Sequence, residues 1–166
     1  MGLITCAALL GGCGDDSDDP GAAETTEQAA AGAAESSPSE AAPAARQRGP
    51  LLKLRDSQLG AVLFDGRNRA LYLFTRDSRN RTRCYGDCAA AWPPFLAKGG
   101  RPRAARGVKQ SLLGTIPRRG GTRQVTYKGQ PLYFYIHDPR GQVLCNDVRE
   151  FGGTWYALNA KGDPPA

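Results

Sequence analysis

Three cysteines, two tyrosine–aspartate sets and a run of arginines are the residues whose types and spacing could carry chemistry in this chain. Cys84 and Cys88 stand four residues apart, and Cys145 follows alone. Such thiols form a disulfide outside the cytosol, cycle as a redox couple or join a metal site. Metal fits worst. The spacing is neither Cys-x-x-Cys-His nor the paired Cys-x-x-Cys of a zinc ribbon, and the chain has one His, His137, and one Met. No metal and no cofactor are therefore expected. On chain entropy, closing Cys84 to Cys88 is worth about 2 kcal/mol and Cys84 to Cys145 about 4 kcal/mol. Energy favours the longer bridge, geometry decides, and an odd count leaves one thiol over or calls for an intermolecular bond.

Tyr72-x-Phe74-x-x-Asp77 and Tyr133-x-Tyr135-x-x-Asp138 are two copies of one pattern, 61 residues apart. Each has a cysteine seven residues after its Asp (Cys84, Cys145), and each closes on a tryptophan (Trp92, Trp155). One reading is acid–base chemistry, with two carboxylates meeting at a pseudo-symmetric interface, each near a phenol. The other has each Asp cap a turn by accepting backbone N–H groups while the aromatics form the core. Symmetry favours the second, since both copies need the same turn. His137 adjoins Asp138, but neighbours on a strand point to opposite faces. No Gly-x-Ser-x-Gly nucleophile motif occurs. The chain is not expected to be an enzyme.

Arg76, Arg79, Arg81 and Arg83 cluster before Cys84; Arg101, Arg103 and Arg106 follow, then Arg118 and Arg119. They suit a surface for anionic partners, either lipid headgroups or envelope polymers. The alternative is a solvated face, offset in part by the chain's own acids. Those acids are segregated: residues 1–45 hold eight Asp and Glu and no Lys or Arg, while residues 46–166 hold all 22 Lys and Arg and eight acids.

The elements that must position these residues divide the chain in three. Gly2 to Leu10 is short and apolar, at the low end of the about 7–15 residues of a signal peptide, and Leu10-Gly11-Gly12-Cys13 fits a lipobox. Residues 1–12 are therefore expected to be a signal peptide and Cys13 to carry lipid. Acyl chains would be the membrane attachment, since no run reaches the about 18 apolar residues of a spanning helix. Residues 13–50 are rich in Ala, Gly, Ser, Pro, Asp and Glu, without an aromatic; they read as a disordered tether reaching about 30–35 Å. Residues 51–162 form the domain, with repeat one over about 54–96 and repeat two over about 111–162.

Within it, Ala61–Phe64 and Leu71–Thr75 flank Asp65-Gly66, a hairpin signal, and their continuous apolar character predicts cover on both faces. Cys84 to Trp92 reads as one helical turn stopped by Pro93-Pro94. Residues 97–109 are a linking loop. Leu112–Ile116, a turn at 118–121 and Arg123–Tyr127 lead through Lys128-Gly129 into Leu132–Ile136. After a loop at 139–150, Thr154–Leu158 is a last strand, and 159–166 a frayed tail. The fold class is all-β: two tandem hairpin-based repeats sharing one compact core, because a lone hairpin is marginal.

These motifs in this order, with Cys84-Tyr85-Gly86-Asp87-Cys88, Trp92-Pro93-Pro94, Leu112-Leu113-Gly114-Thr115 and Phe151-Gly152-Gly153-Thr154-Trp155-Tyr156, resemble the bacterial secreted-repeat lipoproteins with their Yx(FWY)xxD motif. The resemblance covers about residues 54–162. It implies an extracytoplasmic address, anchored at the membrane, where nucleic acid is not an expected partner. Its Cys-x-Gly-x-Cys pattern implies a Cys84–Cys88 bridge. The family has no established activity. A non-enzymatic binding or structural module is the first expectation. A redox accessory using Cys84, Cys88 and Cys145, and an accessory to hydrophobic-substrate (alkane) utilisation, are the others.

Overall fold

The computed structural model describes residues 49–165. The signal peptide, Cys13 and nearly all of the tether lie outside the described residues. Over the described residues the architecture is almost wholly β, nine short strands in three small sheets with one α-helical turn, α1 (Asp87–Ala91), and one 3-10 turn at Gln110–Leu112.

In repeat one, β1 (Leu51–Ser57) and β2 (Gly60–Asp65) form an antiparallel hairpin in register Leu54↔Leu63, and β4 (Arg103–Ala104), from the segment that links the repeats, lies parallel on the other edge of β1. In repeat two, β5 (Leu113–Pro117), β6 (Arg123–Tyr127) and β7 (Gln130–Pro131) form an antiparallel meander. Its second turn, Lys128-Gly129, has φ of 53° and 80°. Positive φ at both central residues is what a two-residue hairpin turn requires. The third sheet joins the repeats: β3 (Tyr72–Phe74) and β8 (Val148–Glu150) flank β9 (Gly153–Ala157), with Leu73↔Tyr156 in register.

Four local expectations are corrected. The Asp65-Gly66 turn does form, with the Asp65 N–H donating to Arg69 O at 2.9 Å. The hairpin is short, however: it closes through the Phe64↔Ala70 bridge and the Leu71 N–H bond to Leu63 O at 3.0 Å, after which Tyr72–Phe74 pair with β9, while β1 pairs along the whole of β2. A turn signal fixes only the reversal, and the run 71–74 gains more by being covered on both sides. The linking loop contains β4 and the 139–150 loop contains β8. The tail is docked: Asn159 N–H bonds Asp163 O at 2.9 Å, Tyr127 Oη donates to Ala160 O at 2.9 Å, and Lys128 pairs with Asp163 at 2.6 Å.

Period-two alternation sorts the apolar runs to opposite sides of the strands. Val62, Phe64, Tyr72, Phe74, Tyr133 and Tyr135 turn to one cluster, which also holds both tryptophans and Cys84, Cys88 and Cys145. Leu63, Leu71, Leu73, Leu132 and Phe134 turn to the other, with Val125, Tyr127 and Leu158. Each cluster draws on both repeats, so the shared core is one aromatic and one mainly aliphatic layer with strands between.

Candidate functional site

Tyr72 and Tyr133 meet at the centre of the pseudo-symmetry. Each amide donates to the other's carbonyl oxygen at 3.0 Å. The exchange extends outwards. Leu63 N–H donates to Leu158 O, and Val125 N–H to Phe95 O, both at 2.8 Å and both across the repeats.

The side chains cross in the same way. The Tyr72 phenol donates to Asp138 Oδ2 at 2.5 Å, and the Tyr133 phenol to Asp77 Oδ2 at 2.5 Å. Each carboxylate uses its other oxygen on a backbone N–H six residues on: Arg83 to Asp77 Oδ1 at 2.7 Å and Leu144 to Asp138 Oδ1 at 3.2 Å. Each Asp therefore closes its own loop and takes the other repeat's phenol. Burial pushes both carboxyls above the ordinary carboxylate value, against these hydrogen bonds and, at Asp77, against the charges of Arg118 and Arg83. Burial, then the neighbouring carboxylate, pushes both phenols far above the ordinary tyrosine value. The phenols thus stay protonated donors across the neutral range.

The motif's second aromatic crosses as well. Phe74 stacks on Trp155 (4.1 Å between centroids), Trp155 on Trp92 (4.0 Å), and Trp92 meets Tyr135 at 4.7 Å. The result is a four-ring column with each motif ring on the other repeat's tryptophan. Tyr72 and Tyr133 meet Trp92 and Trp155 edge-on. Gly153 permits the approach, since a Cβ there would lie 2.6 Å from the Phe74 ring. The tryptophans differ in one respect: Trp92 Nε1 donates to Glu150 Oε2 at 2.8 Å, whereas buried Trp155 Nε1 has no partner.

Cys84 and Cys88 are joined in a disulfide, and Cys145 retains its thiol, buried in the same aromatic layer. His137 is exposed and contacts the Tyr135 ring edge-on at 5.4 Å. Among the described residues no group of three or more His, Cys, Asp or Glu could hold a metal. None of their helices is long and apolar enough to cross a membrane.

Of the arginines, Arg76, Arg79, Arg81, Arg83, Arg101, Arg103, Arg106 and Arg119 are exposed. Arg76 caps the Phe151 carbonyl at 2.9 Å, and Arg103 reaches Gly49 O. Arg118 is half-buried and held from within: its guanidinium donates to Gln124 Oε1 (2.6 Å), Cys84 O (2.8 Å) and Thr82 Oγ1 (3.2 Å). Thr82 Oγ1 lies 2.6 Å from the Tyr133 phenol oxygen, whose proton goes to Asp77, so Thr82 is the donor there. A chain of hydrogen bonds thus runs from the surface at Arg118 to the buried Asp77. Sequence reasoning missed Thr82, Gln124 and Glu150. Only Glu150 carried a signal, as the one glutamate after Glu40. A concavity of about 510 Å³ lies between Leu51, the Asp65–Arg69 turn and Pro93–Lys98 with Phe134 in its lining, and it holds none of the four stacked rings.

Residues 53–95 and 114–159, together more than half of the chain, match one family model, described as a secreted repeat of unknown function. No curated protein matches, and no solved structure matches.

Proposed function

The chain belongs to this family of secreted repeats of unknown function, an extracytoplasmic class, and from that premise we propose a non-enzymatic binding module. It is anchored in the cell envelope by lipid on Cys13, and its arginines engage anionic envelope polymers or lipid headgroups. The observation that carries this reading is the state of the charge. Residues 49–166 hold 20 Lys and Arg against eight Asp and Glu. Among the described residues, the ion pairs are Arg69–Asp65 and Lys128–Asp163, and neither takes an arginine of the proposed surface. The motif's phenols and carboxylates, by contrast, are taken up by one another and by backbone N–H groups of their own loops. The uptake reading asks for an apolar pocket among the strand aromatics, and those rings instead stack together.

The test is co-sedimentation of the chain with vesicles of anionic or zwitterionic lipid, and with a soluble polyanion, over a salt series. Exposed charges are screened within about 10 Å at 0.1 M salt. Binding to the anionic probes that weakens steadily with salt is expected. No binding at low salt would overturn the reading. Intact mass of the membrane-extracted protein checks the anchor: acyl mass on the peptide beginning at Cys13 is expected, and an unmodified Cys13 contradicts it.

A further inference from the structure

The disulfide ring gathers two cations on one aromatic side chain. Tyr85 lies inside the Cys84–Cys88 ring. The guanidinium carbons of Arg118 and Arg119 stand 4.6 and 4.8 Å from the centre of its ring. We propose that Tyr85, Arg118 and Arg119 form a binding subsite for a phosphate group. The proposal rests on the anionic-partner reading above and names the chemistry of the partner.

The loop is built to hold this place. Gly86 has φ 56° and ψ −133°, a backbone shape that side chains rarely adopt, and no atom lies within 4 Å of where its Cβ would stand. A glycine there lets the five-residue ring close and present Tyr85. Arg118 and Arg119 start the β5–β6 turn, closed by the Arg118 N–H bond to Thr122 O at 2.9 Å. Arg118 is then immobilised by its three side-chain bonds, all to uncharged acceptors. These acceptors take three of its five N–H donors without neutralising its charge.

The local balance is therefore positive. Arg118 and Arg119 supply two cations at the ring, and the charge of Arg83 acts with that of Arg118 on Asp77. The carboxylate in their field is Asp77, which is buried and already accepts the Tyr133 phenol and the Arg83 amide. Asp87, on the same loop, is exposed and makes no ion pair with them. Two guanidiniums on one ring repel each other unless an anion joins them. A single carboxylate would be satisfied by one arginine fork, whereas a phosphate offers more charge and more acceptor oxygens. Arg119 is exposed and free to supply the fork; Arg118 supplies fixed charge from behind, and the Tyr85 ring orients both.

The test is titration of the full chain, disulfide intact, with short-chain polyphosphate, with polyglutamate of matched charge, and with vesicles bearing a phosphomonoester or a zwitterionic headgroup. Variants are Arg119→Gln, Arg119→Lys, Tyr85→Leu and, as a charge-matched control elsewhere, Lys161→Gln. Arg119→Gln is expected to weaken polyphosphate or phosphomonoester-vesicle binding about ten-fold, the loss of one charge-assisted pair. Arg119→Lys should recover part of that and Tyr85→Leu should fall near Arg119→Gln, while Lys161→Gln changes little. The arm that shows the Arg119 effect identifies a soluble or a lipid phosphate. Equal small losses in all variants would overturn the subsite and leave the basic-surface reading standing. Polyglutamate bound as well as polyphosphate would overturn the phosphate assignment. Absence of salt-sensitive binding by the unaltered chain would overturn both.

Discussion

Tyr72 and Tyr133 are hydrogen-bonded to each other in both directions, amide to carbonyl, at 3.0 Å. They are the same position of two repeats, so the repeats meet face to face at the motif. From that contact each repeat reaches over the other: phenol to carboxylate, ring to tryptophan, amide to carbonyl. The repeated motif therefore links the two copies through its own residues.

The phenol–carboxylate pairs should couple energetically across the repeats. Tyr133→Phe or Asp77→Asn alone is expected to cost about 1.5–3 kcal/mol, the range for hydrogen bonds to charged groups. In a double-mutant cycle the pair should show a coupling of at least about 1 kcal/mol. Denaturant midpoints at constant m-value check this; strict additivity would contradict it. Tyr72 with Asp138 should behave alike, and Tyr72 with Asp77 should be additive.

The same groups give a pH dependence with a definite sign. Burial raises the folded Asp77 and Asp138 carboxyls above their ordinary 3.8. The folded state then holds those protons more tightly, so their contribution is full below 3.8 and is lost as pH rises through the raised values. The phenols are raised above 10.0, so their contribution is full below 10.0 and is lost above it. The stability difference between the unaltered chain and Asp77→Asn/Asp138→Asn should grow on acidification towards 3.8. A difference that shrinks would contradict the burial argument.

Much of this frame was legible. Val62–Phe64 and Leu71–Phe74 announced strands covered on both faces, and Lys128-Gly129 announced its turn. Pairing was not legible where it is long-range. Nothing local tells Tyr72–Phe74 to leave the hairpin for Trp155–Ala157, some eighty residues on. β1 escaped notice because Lys53, Arg55 and Asp56 interrupt its apolar residues. The aspartates were readable as loop-closing residues, but the crossing of the phenols depends on how the repeats face each other, and that is a property of the packed state.

The tryptophans should be unequal. Trp92→Phe leaves Glu150 without its donor, whereas Trp155→Phe removes a buried N–H that has no partner. With similar ring loss from the column, Trp92→Phe is expected to cost about 1 kcal/mol more. Equal costs, or the reverse order by thermal unfolding, would contradict the geometry.

Reduction of Cys84–Cys88 should lower stability by about 2 kcal/mol, the value of a short loop, and leave the domain folded. Cys145 is 1% exposed. It should resist alkylation in the folded chain and react on unfolding, as read by mass on the peptide that contains it. Alkylation of Cys145 in the folded state at the rate seen after unfolding would contradict the packing.

The most direct test of the interlocked repeats is native-state hydrogen exchange at four amides: Tyr72, Tyr133, Leu63 and Val125. Each donates across the repeats. If the repeats form one cooperative unit, all four should exchange with one opening free energy, equal to that of global unfolding. Two separate values, one for Leu63 and Tyr72 and another for Val125 and Tyr133, would mean that the repeats open independently, and the interlock would fail.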